Sequence, residues 1–287
     1  LMTICCFRRT NLGQAIRARS TLRHNRVFIL ANLSFGHGVV HCYQQALLVI
    51  LPFVQATMGF GDVSYGIVGT VQATSAAVLS IPGGFVVDRL QRHWGPILVC
   101  CMAVASLSYV LLGASPNYAL LLIAVILVTL AGTAWHLPAT AAISRRFPDR
   151  RGLAISMDQV GAQAGNFIGP VVTGALLGLM FWRDIAFVYV APGLVTAIVF
   201  WWFFRGLGRS SGDYDKQVLR VWLREATQLA ANPVVFGMVI VALLRLGALN
   251  ALMLWVPRYL LDPVDVGGLG MTPSAVGLHF ALLTGTG

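Results

Sequence analysis

The stretch VFILANLSFGHGVVHCYQQALLVILPF, residues 27–53, decides the fold of this 287-residue chain. It exceeds the ~20 residues that cross the ~30 Å hydrocarbon core of a bilayer as an α-helix. Polar side chains recur along it at the i, i+3, i+4 spacing of one helix face: Ser34, His37, His41 and Gln44 or Gln45. Polar groups in a membrane are costly and usually face a protein interior or a cavity. The stretch therefore predicts a membrane helix with one functional face.

The composition extends this prediction to the whole chain. Apolar residues make up 57% of it, charged residues only 10%, and the mean hydropathy is +0.77. A soluble domain of this size needs more charge to cover its surface. Further apolar blocks occupy residues 65–87, 96–114, 118–144, 153–181, 184–204 and 234–261, and another begins near Pro273. We expect an all-α, polytopic transmembrane bundle of about seven spans plus the start of an eighth.

The distribution of positive charge predicts the orientation. Most of the 20 Lys and Arg residues precede the first block or follow the second, fourth and sixth blocks. Only Arg183 and Arg258 belong to the other loops, and Arg245 lies within a span. The positive-inside rule then places the N-terminus in the cytoplasm of a plasma or inner membrane. The net charge of +10 is spread over four loops, so contact with anionic lipid explains it and no nucleic-acid partner is expected.

The blocks divide the chain into four regions. Residues 1–26 form a basic arm, 27–204 a six-helix bundle, 205–233 a connector, and 234–287 the start of a second bundle. Within the connector, residues 213–231 carry apolar residues at helical spacing and predict an amphipathic surface helix. Asn232 and Pro233 then supply a cap and a first-turn proline. Because the chain begins with Leu1 and ends inside an apolar run, we expect a fragment that lacks further spans.

A charged loop between the second and third spans carries a recognisable pattern. Residues 84–93 read GFVVDRLQRH and contain Gly84, Asp88, Arg89 and Arg92 in register. This loop resembles the signature of the major facilitator superfamily, although Gln91 and His93 depart from its usual residues. The resemblance implies a gating loop in which Asp88 engages a helix N-terminus and nearby arginines in one state and releases them in another.

The fifth span carries a second pattern of small residues. Residues 161–174 read GAQAGNFIGPVVTG and include Gly165, Gly169, Pro170 and Gly174. Glycines four residues apart let two helix backbones approach closely, and the proline kinks the helix. The pattern is similar to the fifth-span motif of the superfamily's antiporters, with Thr173 in place of one glycine. A generic helix-packing face is the alternative.

Polar groups in several spans are the candidate site residues. At the rise of an α-helix, His37 lies about 16 Å from Arg26, His136 about 14 Å from Arg145 and Arg245 about 18 Å from Pro233. Arg26, Arg145 and Pro233 mark the predicted cytoplasmic ends of their spans. The three polar groups therefore lie near the midplane, where secondary transporters bind solutes. His41 and Gln44 extend this set, and Asn250 is included although it lies about 140° round the helix from Arg245. Asp158 is the only carboxylate of the fifth span, about 10 Å deep. It is either a proton-coupling group or a partner for a cytoplasmic arginine.

Catalytic and metal chemistry find little support in the sequence. His37 and His41 share a helix face, but only His136 lies at a similar depth as a further ligand, so we predict no metal site. No nucleophile–base pair or cofactor fingerprint is visible, so we expect neither an enzyme nor a bound cofactor.

The histidine stripe, the residues around His136 and Arg245 also resemble the fosmidomycin-resistance-like branch of the superfamily. The resemblance implies a monomeric secondary transporter that works by alternating access. Arg245 and the histidines favour a small organic anion as solute, with proton coupling left open. The alternatives are proton-linked efflux of cationic or neutral drugs through Asp158, and an integral membrane enzyme or sensor.

Single-cysteine labelling tests the predicted orientation. In a background from which the five native cysteines have been removed, we expect an impermeant maleimide added outside cells to modify a cysteine at position 117 or 262. The same reagent should leave a cysteine at position 147 unmodified, because that loop is rich in arginine and faces the cytoplasm. The reverse labelling pattern would overturn the orientation.

Overall fold

The computed structural model describes residues 25–204, 207 and 219–285, without the side chains of residues 81, 219, 220 and 222. Its α-helices are α1 (Arg26–Met58), α2 (Asp62–Arg89), α3 (Trp94–Ala114), α4 (Tyr118–Arg146), α5 (Arg151–Leu177), α6 (Trp182–Phe204), α7 (Leu219–Ala230), α8 (Pro233–Leu261) and α9 (Pro273–Gly285). Short 3-10 helices, Gln91–His93 and Val264–Val266, precede α3 and follow α8. The described residues contain no strand, so the predicted all-α class is confirmed.

The helices that could cross a membrane match the predicted blocks. Six described helices are long and apolar enough, and α2, which bends at Pro82, would be a seventh. The fifth block ends earlier than predicted: α5 stops at Leu177, and the backbone turns at Gly178 instead of continuing to Phe181. The predicted amphipathic helix is present as α7, while residues 213–218 of that prediction lie outside the described part. The basic arm 1–24 lies outside it as well.

The start of α8 follows its sequence signal. The Asn232 side chain accepts a hydrogen bond from the Val234 backbone N–H at 3.0 Å, and Pro233 occupies the first helical position. Proline suits this position because its missing N–H would have no intrahelical partner there. The predicted cap between connector and second bundle is therefore formed, whereas the four-region division itself stays a prediction.

The helix ends gather at two faces of the bundle. At one, Arg26 pairs with Asp149 at 3.2 Å and Arg145 donates to Gln91 at 2.8 Å; we call this the basic face. At the other, the opposite face, the Tyr118 hydroxyl donates to the Ser64 carbonyl and Arg183 donates to the carbonyls of Gly113 and Ser115. The short loops thus alternate between two surfaces, as up-and-down membrane helices require.

Two buried apolar clusters fill the bundle. The cluster toward the opposite face includes Tyr43 and Tyr109, and the cluster toward the basic face includes Trp135 and Phe200. Tyr43 and Tyr109 pack edge to face at 5.0 Å, an arrangement that aromatic rings favour. His37 and His136 have neighbours of the second cluster along their helices: Leu33 and Val40 on α1, and Trp135 and Ala139 on α4.

Glycines bring α1 and α5 into backbone contact. A Cβ atom at Gly161 would collide with the Ser34 carbonyl, and one at Gly165 with the Gly38 carbonyl. At Gly169 the added atom would lie 2.8 Å from the Cys42 carbonyl oxygen. The predicted small-residue face is therefore a packing surface against α1. Further along α5, Gly174 approaches Gly277 of α9 in the same way.

Alanine substitutions in α5 test this packing. Gly165→Ala should destabilise the protein by ~1–3 kcal/mol, because overpacking forces the two backbones apart. Gly152→Ala is the matched control, since the space beside Gly152 is open. Thermal unfolding of the detergent-purified proteins should show a midpoint lower by several degrees for the first variant only. Equal midpoints for Gly165→Ala and the parent would contradict the close approach.

Candidate functional site

Three histidines from two helices meet in the interior of the bundle. The His37 ring lies 4.9 Å from that of His41 and 4.8 Å from that of His136, measured between centroids. Their nitrogen ligand atoms all lie within 4.8 Å of one another. Helix α1 supplies His37 and His41 one turn apart, and α4 supplies His136. The structure thus brings together the three histidines that the sequence singled out, and we call them the histidine cluster.

A continuous chain of polar contacts runs from α5 through this cluster. Asp158 Oδ2 lies 2.8 Å from Nδ1 of His37, and Nε2 of His37 lies 3.2 Å from Nε2 of His41. Nδ1 of His41 lies 2.9 Å from the side-chain oxygen of Asn166. The side chains of His37 and Asp158 are only 3% and 5% exposed. The end of this series of polar contacts at Asp158 is therefore shielded from solvent.

The hydrogen bonds of Asn166 indicate which atoms donate and which accept in this series of polar contacts. Its side-chain oxygen also accepts from Gln45 Nε2 at 3.1 Å, and its own Nδ2 donates to Gln163 Oε1 at 2.6 Å. An oxygen accepts, so Nδ1 of His41 is the donor of their contact. Asp158 likewise accepts from Nδ1 of His37. Both outer nitrogens therefore carry hydrogen, and the two Nε2 atoms face each other at 3.2 Å, where a proton on either one would form a hydrogen bond to the other.

Two details of the site differ from the sequence analysis. Gln45, rather than Gln44, joins the polar chain, because the Gln44 amide packs against Gly132 of α4. Asp158 pairs with His37 and not with an arginine. The depth estimate separated these two residues, but the glycine contacts bring α1 and α5 so close together that the His37 ring reaches Asp158. Gln45 was one of the two glutamines that the polar stripe of α1 left open, whereas Asn166 and Gln163 had no distinguishing signal beyond being polar residues in a span.

Arg245 and Asn250 do not join the cluster. Both lie on exposed positions of α8. The buried side of α8 carries Leu254, which packs against Gly69. Arg245 precedes Leu254 by nine residues, or about 180° around a helix, whereas Asn250 is one turn away on the same side. The described bundle thus brings Asn250 toward α2 and turns Arg245 away, and the solute-binding role of both stays a prediction.

The predicted gating residues lie at the basic face. Asp88, Arg89 and Arg92 are exposed at the end of α2 and in the 3-10 helix after it. The neighbouring Gln91 is buried and accepts from Arg145 of α4 at 2.8 Å, and the Arg145 guanidinium stacks 4.6 Å from the Trp94 ring. The loop is therefore anchored to the bundle by Gln91, one of the residues that departs from the superfamily pattern. The gating role of Asp88 stays a prediction.

A contact between α2 and α8 closes the opposite face. The Arg258 guanidinium pairs with Asp62 and, at 3.1 Å, with Asp262, and it lies 5.6 Å and 5.4 Å from the ring centroids of Tyr65 and Trp255. The Tyr65 hydroxyl also donates to the Leu254 carbonyl at 3.0 Å. Sequence reasoning missed this cluster. The only indication in the sequence was that charged residues are rare in the loops of the opposite face and that Asp62 and Arg258 both lie there.

The geometry defines a class of protein. A bundle of membrane helices that encloses a polar cluster and closes at one face is the architecture of a secondary transporter. The family model of the Major Facilitator Superfamily matches residues 33–287. The chain belongs to this superfamily, whose members are multi-pass membrane transporters of small solutes.

Curated relatives and solved structures agree with this assignment. The fosmidomycin resistance protein of Escherichia coli K12 is 24% identical over 184 residues, 63% of this chain and 45% of that protein. The uncharacterized transporter YybO of Bacillus subtilis 168 is 26% identical over 181 residues, 62% of this chain and 41% of its own. The chain thus spans less than half the length of either relative. The branch that the sequence resembled is therefore represented among its relatives.

A bacterial homologue of the human lysosomal transporter Spinster shares the fold. Its inward-facing, unoccupied structure superposes with a TM-score of 0.75 at 20% identity and covers 91% of this chain and 60% of that one. The inward-facing, occupied structure gives 0.73 at 19% identity, with 91% and 58% covered. At this identity the likeness shows the fold alone.

The closure at the opposite face can be tested by accessibility. We expect Arg258→Gln to raise labelling of a Leu254→Cys probe from that face by a few-fold, because Leu254 is buried at the contact. Asp184→Asn, an exposed acid of α6, is the control.

Hydrogen bonding to Arg258 holds the pKa of Asp62 below its ordinary value. The pair therefore persists from neutral to mildly acidic pH and weakens only as the pH falls through that lowered pKa. Labelling that rises already near pH 6 would contradict this assignment.

Proposed function

We propose that this protein is a secondary active transporter that moves a small organic anion by alternating access and couples transport to protons. The observation that supports it is the histidine cluster joined to buried Asp158 between α1, α4 and α5. Ionisable groups inside a membrane are expensive and mark solute paths and proton relays. Here four of them touch or approach one another in a single interior site.

The cluster favours an anion for a reason of charge. Asp158 is hydrogen-bonded to His37, and His41 and His136 lie beside that pair. A proton taken up by either of these two rings would add positive charge to the site. A protonated cluster attracts an anionic solute, and releasing the solute frees the protons. Proton and anion would then move in a linked cycle, with Arg245 as a second anion partner if α8 turns.

The contacts of α8 support alternating access. It meets α2 near the opposite face, where the Tyr65 hydroxyl donates to the Leu254 carbonyl and Arg258 pairs with Asp62. The described bundle is therefore held together at the opposite face. We assign the basic face to the cytoplasm of the cell membrane, so the contact between α2 and α8 lies on the outer side, and we propose Asp88 as a gating residue on the cytoplasmic side of a monomer.

The second candidate is proton-linked efflux of a cationic or neutral drug. One oxygen of Asp158 is buried and has no hydrogen-bond partner among the described residues. An unpaired carboxylate oxygen could receive either a proton or a cationic group of the solute. One relative is named for resistance to a compound, fosmidomycin, and resistance fits export. That name supports export as the direction in both candidates.

Transport in proteoliposomes separates the two candidates. The panel contains carboxylates, phosphonates, neutral compounds and organic cations, each tested with and without an imposed pH gradient. We expect anions to accumulate in response to the gradient and their binding to tighten at mildly acidic pH. Asp158→Asn and His136→Gln should each lower the proton-driven rate by at least about tenfold, or ~1.4 kcal/mol.

A matched variant controls for indirect effects. His279 is an exposed histidine whose ring bonds the Ala275 carbonyl of its own helix, so His279→Gln should transport like the parent. Accumulation of cations or neutral compounds without anions would move the drug-efflux candidate ahead. Rates that do not respond to a pH gradient would remove proton coupling from the proposal.

A further inference from the structure

The two facing Nε2 atoms of the histidine cluster need a cation between them, either a proton or a metal ion. Nδ1 of His37 donates to Asp158, and Nδ1 of His41 donates to Asn166, so the Nε2 atoms that face each other at 3.2 Å both present lone pairs when neither ring carries a second proton. Two facing lone pairs repel unless a cation lies between them. In a site shielded from water this repulsion is strong, because the local dielectric constant is low.

The spacing of the nitrogens fits a specific class of cation. Tetrahedral zinc binds imidazole nitrogen at ~2.0–2.1 Å, which places two such nitrogens about 3.3 Å apart. The Nε2 atoms of His37 and His41 are 3.2 Å apart, and the nearest nitrogen of His136 lies within 4.8 Å of them. The half-buried His136 ring can close the remaining distance by rotating its side-chain torsions.

The neighbours of the cluster complete the arrangement. A histidine that binds a metal usually donates its other ring nitrogen to a carboxylate or an amide oxygen, which fixes its orientation and strengthens it as a ligand. Asp158 has this relation to His37, and Asn166 has it to His41. The second oxygen of Asp158 is buried without a hydrogen-bond partner among the described residues. A divalent cation nearby would offset its charge.

We propose that His37, His41 and His136 bind one divalent transition-metal ion of the zinc class, with Asp158 and Asn166 as the hydrogen-bond partners that orient two of the ligands. Three protein ligands leave the fourth tetrahedral position open to water or to an anionic group of the solute. This inference departs from the sequence prediction of no metal site, which counted ligands by depth and had neither the 3.2 Å spacing nor the oriented rings. It does not depend on the solute that the transporter carries.

The unmodified protein provides the first test. Tag-free, detergent-purified protein is titrated with Co²⁺ and monitored for the visible absorption of four-coordinate cobalt, and the Zn²⁺-loaded protein is measured by X-ray absorption. We expect one ion per chain with three imidazole nitrogens at about 2.0–2.1 Å and no sulfur near 2.3 Å. Sulfur ligands, or a shell made only of oxygen, would overturn the proposal, as would the absence of four-coordinate cobalt.

Variants provide the second test. Asp158→Asn should weaken Co²⁺ binding by about 10–100-fold, the usual effect of losing an outer partner, and His41→Gln and His136→Gln should weaken it further. His279→Gln and His93→Gln, which alter exposed histidines, should leave it unchanged. Affinity should fall as the medium is acidified, because protons compete for the ligand nitrogens. Cobalt binding in the His41→Gln, His136→Gln double variant that equals the parent would overturn the site.

Failure of this inference can be told apart from failure of the proposed function. Protein treated with a chelator is compared with protein reloaded with Zn²⁺ in the proteoliposome assay. If neither Co²⁺ nor Zn²⁺ binds while proton-driven anion transport persists, the metal site is overturned and the cation between the two Nε2 atoms is a proton. If metal binds and no solute is transported, the transporter proposal fails and the metal site stands.

Discussion

The rest of the structure depends on the buried pairing of Asp158 with His37. In a membrane interior no water is available to solvate a carboxylate, so its partner must come from the protein. Breaking a buried pair by removing one partner costs ~3–5 kcal/mol, since an uncompensated charge remains. A contact at 2.8 Å between α1 and α5 therefore ties these helices together from inside, and it orients His37 toward the two other histidines.

Glycine makes this pairing geometrically possible. Short side chains such as Asp span a helix–helix interface only when the backbones are unusually close, and Gly161 and Gly165 remove the Cβ atoms that would hold α1 away. The same small-residue face that looks like simple packing is thus what positions the polar chain. Buried apolar residues of one cluster neighbour His37 and His136 along α1 and α4, and an apolar environment strengthens polar contacts.

The pairs Asp158–His37 and Asp62–Arg258 differ in their exposure to water. Asp158 and His37 are almost fully buried, so water cannot readily replace either partner. Asp62 is 67% exposed, and water can replace Arg258 as its partner. Exposed ion pairs contribute little to stability. The buried contact between α1 and α5 and the exposed contact between α2 and α8 therefore differ in how strongly each ties its helices together.

The sequence by itself determined the membrane class, the number and bounds of most helices, the cap at Asn232 and the grouping of three histidines. These follow from apolar length, capping chemistry and helical periodicity, which are local properties of the chain. Only the tertiary structure decided that Asp158 reaches His37, that Gln45 replaces Gln44 in the site, and that Arg245 turns away from it. Each of these depends on how closely two helices approach each other and on how each is rotated about its axis. The local sequence of either helix does not determine these quantities.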